Sequence, residues 1–171
     1  MVKLFSPSRL ALAVVAAFAL AACSSGVSQN TGTADNSFTN ANLQAKDPNA
    51  KIYNGYSQNE LQNTYNTVLF AFDSYTPTAE GVELIKAHAA FIKANGAKVV
   101  LEGYTDERGT PEYNITLGAQ RAKSVADLLV QFGVDPASIR QLSYGEERPA
   151  VLGHNEAAYS KNRRVVFNYN F

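Results

Sequence analysis

The stretch "GYTDERGTPEYN", residues 103–114, places two acidic side chains and one basic side chain next to one another: Asp106, Glu107 and Arg108. Charged residues make up only 18% of the chain, so such a cluster is uncommon in it. The cluster follows Gly103, the last residue of a predicted strand, and ligands of open α/β sheets usually bind where strands end. Peptide N–H groups around such a turn can also hold a carboxylate. The turn therefore predicts a polar binding site.

A second cation, Arg121, is predicted to lie near this turn and to complement the carboxylate of Asp106. It lies four residues before Val125, on or beside the apolar stripe of a predicted helix. Because Gly118 interrupts helical propensity, we expect the helix to begin there and Arg121 to lie in its first turn, near Asp106. Arginine binds carboxylates bidentately and aspartate accepts ammonium groups, so this pair predicts a receptor for a small zwitterion. The alternative is a salt bridge between Asp106 and Arg121 that only fastens the loop.

The secondary-structure elements that must position these residues follow from periodicity and capping signals. The β-rich run "TVLFAFD", ending in Asp73, predicts a strand, and Thr76 followed by Pro77 predicts the start of a helix that stops at Gly96. The remaining predicted elements are strands over 98–103, 139–144 and 163–171, a helix ending at Gly133, and short helical turns near 59–65 and 155–160. This order predicts an α+β fold, a mixed four-stranded sheet with helices packed on one face.

Residues 1–22 predict an export signal. Lys3 and Arg9 precede the apolar run 10–20, which is too short and wrongly flanked for a stable membrane span. The run leads to "LAAC", which resembles the lipobox of bacterial lipoproteins. We therefore expect cleavage before Cys23, the only cysteine, and acylation of that residue. The alternative is an ordinary signal peptide that is cut nearby, with Cys23 incidental.

The mature chain is predicted to have two parts. Residues 23–57 are rich in Ser, Asn, Thr and Gly without a hydrophobic period, which indicates a flexible tether. Residues 58–171 are predicted to form the folded domain. Lys and Arg total 15 and Asp and Glu total 15, so no overall field attracts nucleic acid.

Two long motifs, "GYTDERGTPEYNITLGAQRAKSVADLL" and "SYGEERPAVLGHNEAAYSKNRRVVF", resemble the OmpA-like domain family. The resemblance covers roughly residues 67–171, and the layout of signal, tether and domain resembles the peptidoglycan-associated lipoprotein (Pal) members. It implies a βαβαββ sandwich without cofactor or catalytic residues. It also implies non-covalent binding of peptidoglycan through the side-chain end of meso-diaminopimelate, which bears an ammonium and a carboxylate. Asp106 would accept the ammonium and Arg121 would pair with the carboxylate.

The same resemblance assigns further residues to the site. The residues implied to line the groove or contact the ligand are Phe72, Asp73, Thr105, Arg108, Asn114 and Leu117, with Tyr104, Asn162 and Arg163 as support. Tyr104 stands where the family usually has histidine, and tyrosine cannot become cationic near neutral pH. A ligand contact by Tyr104 is therefore not implied.

Partners and location are also implied by the resemblance. TolB and other Tol envelope proteins would be partners, in a system that supports envelope integrity and cell division. Acyl chains on Cys23 would anchor the protein in the outer membrane, with the domain in the periplasm. Ser24 after the cysteine agrees with an outer-membrane destination in such lipoproteins.

The charged residues and histidines also allow other classes of function. Asp73, Asp106 and Glu107 could act as the paired carboxylates of a wall-degrading hydrolase, but no residue pattern indicates an acid with a raised pKa. His88 is predicted at the surface or boundary of its helix and His154 in a loop, without metal-ligand spacing. A protein-interaction module, in which the Asp106–Arg121 pair is purely structural, is the remaining alternative.

Overall fold

The computed structural model describes residues 50–170. The predicted signal peptide, the lipidation site at Cys23 and most of the predicted tether lie outside the described residues. The α-helices and β-strands, in chain order, are β1 (Ile52–Tyr53), β2 (Tyr56–Ser57), α1 (Gln58–Asn63), β3 (Thr67–Leu69), α2 (Ala79–Asn95), β4 (Val99–Tyr104), α3 (Pro111–Gln131), β5 (Ile139–Gly145), α4 (Glu156–Asn162) and β6 (Arg164–Asn168). A short 3-10 helix, Pro136–Ser138, precedes β5.

The main sheet has four strands in the order β3-β6-β4-β5. Strands β4 and β5 are parallel because the long helix α3 crosses over between them. Strand β6 is antiparallel to both β3 and β4, since the seven-residue helix α4 before it is too short for a full crossover. The predicted mixed four-stranded sheet is therefore confirmed.

The core lies between one face of this sheet and helices α2 and α3. Leu101 of β4 and Phe167 of β6 are buried in one cluster with Phe91 of α2 and Val125 of α3. Apolar residues recur at helical spacing on both helices, so each helix has one face to bury. This core shows that both helices pack on one face of the sheet, as predicted.

The folded part of the chain begins before residue 58, the boundary predicted from composition. Strands β1 and β2 pair as a hairpin within the stretch assigned to the tether. Tyr53 is only 6% exposed and packs edge-on against Phe91, with ring centroids 5.4 Å apart. The turn residues Asn54 and Gly55 both have positive φ, 47° and 92°, as two-residue hairpin turns prefer. The Asn-Gly pair was the sequence signal for this hairpin.

Helix α2 begins two residues later than predicted. Thr78, not Thr76, is the N-cap, and its hydroxyl accepts a hydrogen bond from the N–H of Gly81 at 3.1 Å. Pro77 lies before the helix and forms an isolated bridge with Phe70. Two threonines flank this proline, and the sequence did not distinguish which of them caps the helix.

Helix α3 begins at Pro111, with Thr110 as N-cap, and not at Gly118 as predicted. Gly118 lies inside the helix where it crosses β4. A Cβ atom added to Gly103 would lie 1.9 Å from the carbonyl oxygen of Gly118. Only two glycines allow helix and strand backbones to approach this closely, so packing overrides the low helical propensity of Gly118. Arg121 consequently lies in the third turn of α3.

His88, predicted at the surface or boundary, is fully buried. Its ring stacks on Phe167 with centroids 3.7 Å apart. Nδ1 lies 2.8 Å from the Tyr169 hydroxyl and Nε2 lies 2.9 Å from the Tyr65 carbonyl oxygen. Burial lowers the pKa of His88 to about 4, so the ring is neutral at neutral pH. Nε2–H therefore donates to the carbonyl, and Nδ1 accepts from the tyrosine.

Replacing Gly103 by Ala should destabilise the protein strongly, because the new methyl group would overlap the backbone of α3. We expect the free energy of unfolding to fall by about 3 kcal/mol or more, the upper end of overpacking costs. Urea denaturation measures this loss. Gly96→Ala is the control: its Cβ meets nothing within 4 Å, so only the positive φ of 60° costs about 1–2 kcal/mol. Equal losses would contradict the close approach.

The lowered pKa of His88 predicts an acid-sensitive stability. Because the unfolded chain takes up a proton near the ordinary pKa of about 6.5, stability should fall as the pH falls from there towards the folded value of about 4. Urea denaturation across this range should show a weaker pH dependence in His88→Gln than in the wild type. His154→Gln is the control, because that side chain is 84% exposed. If the free energy of unfolding depends on pH in the same way in all three proteins, His88 is not buried in its neutral form.

Candidate functional site

A cavity of about 210 Å³ opens at the C-terminal end of β4. Three segments border it: the loop after β3, the turn after β4 with the first turns of α3, and the start of β6. Every residue assigned to ligand contact in the sequence borders the cavity: Phe72, Asp73, Thr105, Asp106, Arg108, Asn114, Leu117 and Arg121. The fold therefore brings together residues that lie as far apart in the chain as Phe72 and Arg121.

Arg121 is completely buried at the base of this site. Its Nε donates to the carbonyl of Ser74 at 2.8 Å, Nη1 to that of Tyr104 at 2.9 Å, and Nη2 to that of Ala71 at 3.3 Å. None of the ion pairs found within residues 50–170 joins Arg121 to Asp106, so the simple salt bridge considered above is not formed. A guanidinium has five N–H donors, of which two remain unassigned here. Burial lowers the pKa of Arg121 to about 10, and the group stays cationic at neutral pH.

Asp106 is 4% exposed and accepts four hydrogen bonds. Its Oδ1 accepts from the backbone N–H and from Nε of Arg108, both at 3.1 Å. Its Oδ2 accepts from Nη2 of Arg108 at 2.6 Å and from Nη1 of Arg163 at 3.2 Å. A carboxylate offers about four lone-pair sites, so Asp106 is saturated. Burial would raise the pKa of its carboxyl, but the hydrogen bonds from the two arginines outweigh burial and lower the pKa.

Arg108 covers Asp106 on the solvent side. The Arg108 side chain is 34% exposed, against 4% for Asp106. Its guanidinium lies 4.0 Å from the ring centroid of Phe72 and 4.5 Å from that of Tyr159. Nη2 also lies 3.4 Å from a carboxylate oxygen of Glu156. Arg108 is thus held between two aromatic faces and two carboxylates.

Arg163 supports the site from the other side. Its Nε donates to the carbonyl of Phe70 at 3.0 Å, and its Nη2 donates to Glu156 at 2.6 Å. Together with the bond to Asp106, these contacts tie the start of β6 to two loops. Arg163 also borders the cavity, although it was assigned only a supporting role. Its contact with Asp106 joins residues 57 positions apart, which no sequence pattern indicated.

Tyr104 contributes its backbone to the site and not its ring. Its carbonyl accepts the hydrogen bond from Arg121, whereas its hydroxyl donates to Glu102 at 2.7 Å. The guanidinium of Arg164 stacks 3.8 Å from the ring centroid. Glu102 and Tyr104 alternate with the core-facing residues of β4, so this ring lies on the sheet face opposite the helices.

The loop between β5 and α4 is fastened by two amide side chains. Oδ1 of Asn162 accepts from the N–H groups of Ala150 and Val151, and its Nδ2 donates to the carbonyl of Val151 at 2.9 Å. Nδ2 of Asn114, at the cavity wall, donates to the carboxylate of Glu146. Asn162 therefore fastens the loop, and it does not border the cavity itself.

Asp73 lies in a turn after β3 and not at the end of a strand. Strand β3 ends at Leu69 and is therefore shorter than the strand predicted from the sequence. Its φ of 50° is unusual for a residue other than glycine and stores backbone strain. Its carboxylate accepts a hydrogen bond from the hydroxyl of Tyr113. This bond joins the loop after β3 to the first turn of α3. Tyr113 was not predicted as a site residue, because a tyrosine in a polar turn carries no charge signal.

The carboxylates at this site do not have the properties of a hydrolase acid. Such an acid needs a raised pKa, but the pKa of Asp106 is lowered. Hydrogen bonds from Tyr159 and His154 also lower the pKa of Glu107. In residues 50–170 no group of three or more His, Cys, Asp or Glu side chains could hold a metal ion. No helix in that same range is long and apolar enough to cross a membrane.

Comparisons with known proteins agree with this fold. The model of the OmpA family matches residues 69–163. A peptidoglycan-associated lipoprotein of Haemophilus influenzae is 52% identical over 152 residues, which cover 88% of this chain and 90% of the relative. One from Pasteurella multocida is 56% identical over 126 residues, covering 72% and 84%. The crystal structure of the peptidoglycan-associated lipoprotein from Burkholderia pseudomallei aligns with a TM-score of 0.60 at 40% identity, covering 61% of this chain and 90% of that one.

The chain therefore belongs to the OmpA family and, within it, to the peptidoglycan-associated lipoproteins. The resemblance stated from the two motifs is confirmed, as is the OmpA-like α+β fold. The family and the named relatives identify a binding protein and not an enzyme.

The saturated Asp106 predicts a second pH effect. Because its folded pKa is lowered, its carboxylate stabilises the protein above its unfolded pKa of about 3.9, and this stability is lost as the pH falls through the folded value. As the pH falls from 5 to strongly acidic values, urea denaturation should show a steeper fall in the free energy of unfolding for the wild type than for Asp106→Asn. Asp127→Asn is a matched control, since Asp127 forms only an exposed pair with Lys123. A variant as acid-sensitive as the wild type would show that the two arginines do not stabilise this carboxylate.

Proposed function

We propose that the cavity binds the peptide stem of peptidoglycan non-covalently and grips the side-chain end of meso-diaminopimelate. The observation that carries this proposal is that one cavity is bordered by both a buried carboxylate, Asp106, and a buried guanidinium, Arg121. The side-chain end of diaminopimelate bears an ammonium and a carboxylate, which are complementary to these two groups. The relatives' name, peptidoglycan-associated lipoprotein, supports the same ligand.

Arg121 pairs with the ligand carboxylate and Asp106 accepts the ammonium. Two N–H donors of Arg121 are unassigned and can serve a carboxylate. Because Arg121 exposes no surface, this contact requires the wall to move, and the Tyr113–Asp73 hydrogen bond is the link that would open. The buried hydroxyl of Thr105 has no hydrogen-bond partner within the described range and is a further polar group at the site. Lysine-type stems lack the carboxylate for Arg121, so diaminopimelate is preferred.

The N-terminal part of the chain supplies the anchor in this proposal. Acylated Cys23 holds the protein in the outer membrane, and the domain lies in the periplasm. Each buried methylene contributes about 0.8 kcal/mol, so several acyl chains anchor stably where one does not. The residues between Cys23 and β1 act as the tether. Many such tethers acting together hold the membrane to the wall, even if each domain binds modestly.

The proposal extends to TolB and other Tol envelope proteins as partners, with a role in envelope integrity and cell division. The alternative is a protein-interaction module in which the charged residues are structural. One observation favours that alternative: all three assigned hydrogen bonds of Arg121 go to backbone carbonyls. A binding measurement separates the two.

Sedimentation of the soluble chain, beginning at residue 24, with diaminopimelate-type peptidoglycan tests the proposal. We expect Asp106→Asn and Arg121→Lys to lower the affinity roughly 10- to 100-fold, because each loses a charge-assisted hydrogen bond to the ligand. Lys123→Gln is the control: it removes an exposed cation from the same helix and should pellet like the wild type. Circular dichroism checks that each variant is folded. If folded variants pellet equally, the pair is structural and the wall is not bound at this cavity.

A further inference from the structure

The saturation of Asp106 has a consequence for any ligand that carries an ammonium group. All four of its lone-pair sites are occupied: Arg108 fills three of them and Arg163 the fourth. A ligand ammonium cannot be added to this arrangement and must replace one of the donors. We propose that the Arg108 guanidinium is an internal cation that occupies the ammonium subsite of the cavity and is displaced by the ligand. This inference rests on the proposed function.

Arg108 is the donor that can leave. The Arg163 side chain is only 7% exposed and is fixed by two further hydrogen bonds, to Phe70 and Glu156. The Arg108 side chain is 34% exposed, and its guanidinium donates to no backbone carbonyl. Releasing Arg108 therefore breaks two hydrogen bonds at the edge of the site, whereas releasing Arg163 would break contacts that join three segments of the fold.

Asp106 stays in place when the Arg108 side chain leaves. The backbone N–H of Arg108 still donates to Oδ1, and Arg163 still donates to Oδ2. One site on each carboxylate oxygen is then open, which suits an ammonium with its three donors. The subsite for the ammonium is thus preformed beneath the Arg108 guanidinium.

The displaced guanidinium also has a place to rest. It already lies 4.0 Å from the Phe72 ring centroid and 4.5 Å from that of Tyr159, so cation–π attraction persists after a small outward shift. Glu156, 3.4 Å away and 62% exposed, remains as an anionic partner. The exchange replaces one cation by another at Asp106, and its net cost is therefore modest.

This exchange makes Arg108 a specificity-determining residue. A ligand with both an ammonium and a carboxylate must displace Arg108, whereas one that lacks the ammonium binds with Arg108 still on Asp106. Removing the Arg108 charge should therefore strengthen binding of the first kind of ligand. It should weaken binding of the second kind, because the ligand carboxylate then faces an Asp106 with one cation fewer.

Two synthetic tripeptides, L-Ala-D-Glu-meso-diaminopimelate and the same peptide with 2-aminopimelate in place of diaminopimelate, test the proposal by isothermal titration calorimetry. The second peptide keeps the distal carboxylate and lacks only the distal ammonium. We expect Arg108→Gln to bind the diaminopimelate peptide about two- to fivefold more tightly than the wild type, the range of a partly exposed ion pair. It should bind the aminopimelate peptide more weakly. Arg148→Gln, which removes an exposed cation outside the cavity, should leave both affinities unchanged.

The outcomes distinguish this inference from the function on which it rests. If the wild type binds the diaminopimelate peptide, weaker binding by Arg108→Gln shows that Arg108 contacts the ligand, and equal binding shows that Arg108 does not compete with it. In both cases only the inference fails. If the wild type binds neither peptide nor peptidoglycan, both the inference and the proposed function fail.

NMR of the wild-type Arg108 Nε–H signal gives a readout without a variant. Its chemical shift should move when the diaminopimelate peptide binds and stay when the aminopimelate peptide binds, and identical responses to both peptides would overturn the displacement.

Discussion

The cavity at the end of β4 depends on one buried guanidinium, that of Arg121, and on the three backbone carbonyls that surround it. A buried charge is costly unless hydrogen bonds compensate it, and here the acceptors come from the loop after β3 and from the end of β4. Because these carbonyls belong to separate segments, satisfying Arg121 fixes the loop, the strand end and helix α3 relative to one another. The shape of the cavity follows from that requirement.

The charged side chains around the cavity form a network in which each has a hydrogen-bond partner within the protein. Arg108, Arg121 and Arg163 border it together with Asp73 and Asp106, three cations against two anions. Each of these two carboxylates accepts a hydrogen bond from a protein donor, so neither is an unpaired anion. A ligand with two opposite charges can enter such a network by exchange, without leaving a buried charge uncompensated. This property agrees with the reversible binding proposed above.

Local signals in the sequence were sufficient for most of the fold. The glycine stop after α2 and the motif of the charged turn predicted elements that the structure contains. Predictions were wrong where packing overrides local preference. Gly118 has low helical propensity, yet it lies within α3 because only a glycine fits against Gly103. His88 is polar, yet it is buried because Phe167 and Tyr169 provide a stacking surface and a hydrogen-bond partner.

By itself the sequence predicted eight of the residues that border the cavity, through the charged turn and the family resemblance, and it missed Tyr113. Only the tertiary structure decided how these residues pair. Arg121 bonds to carbonyls 17 to 50 positions away, and Asp106 bonds to Arg163 across 57 positions. Hydrogen-bond partners at such separations depend on how the sheet and helices pack, and residue type and spacing carry no information about that packing.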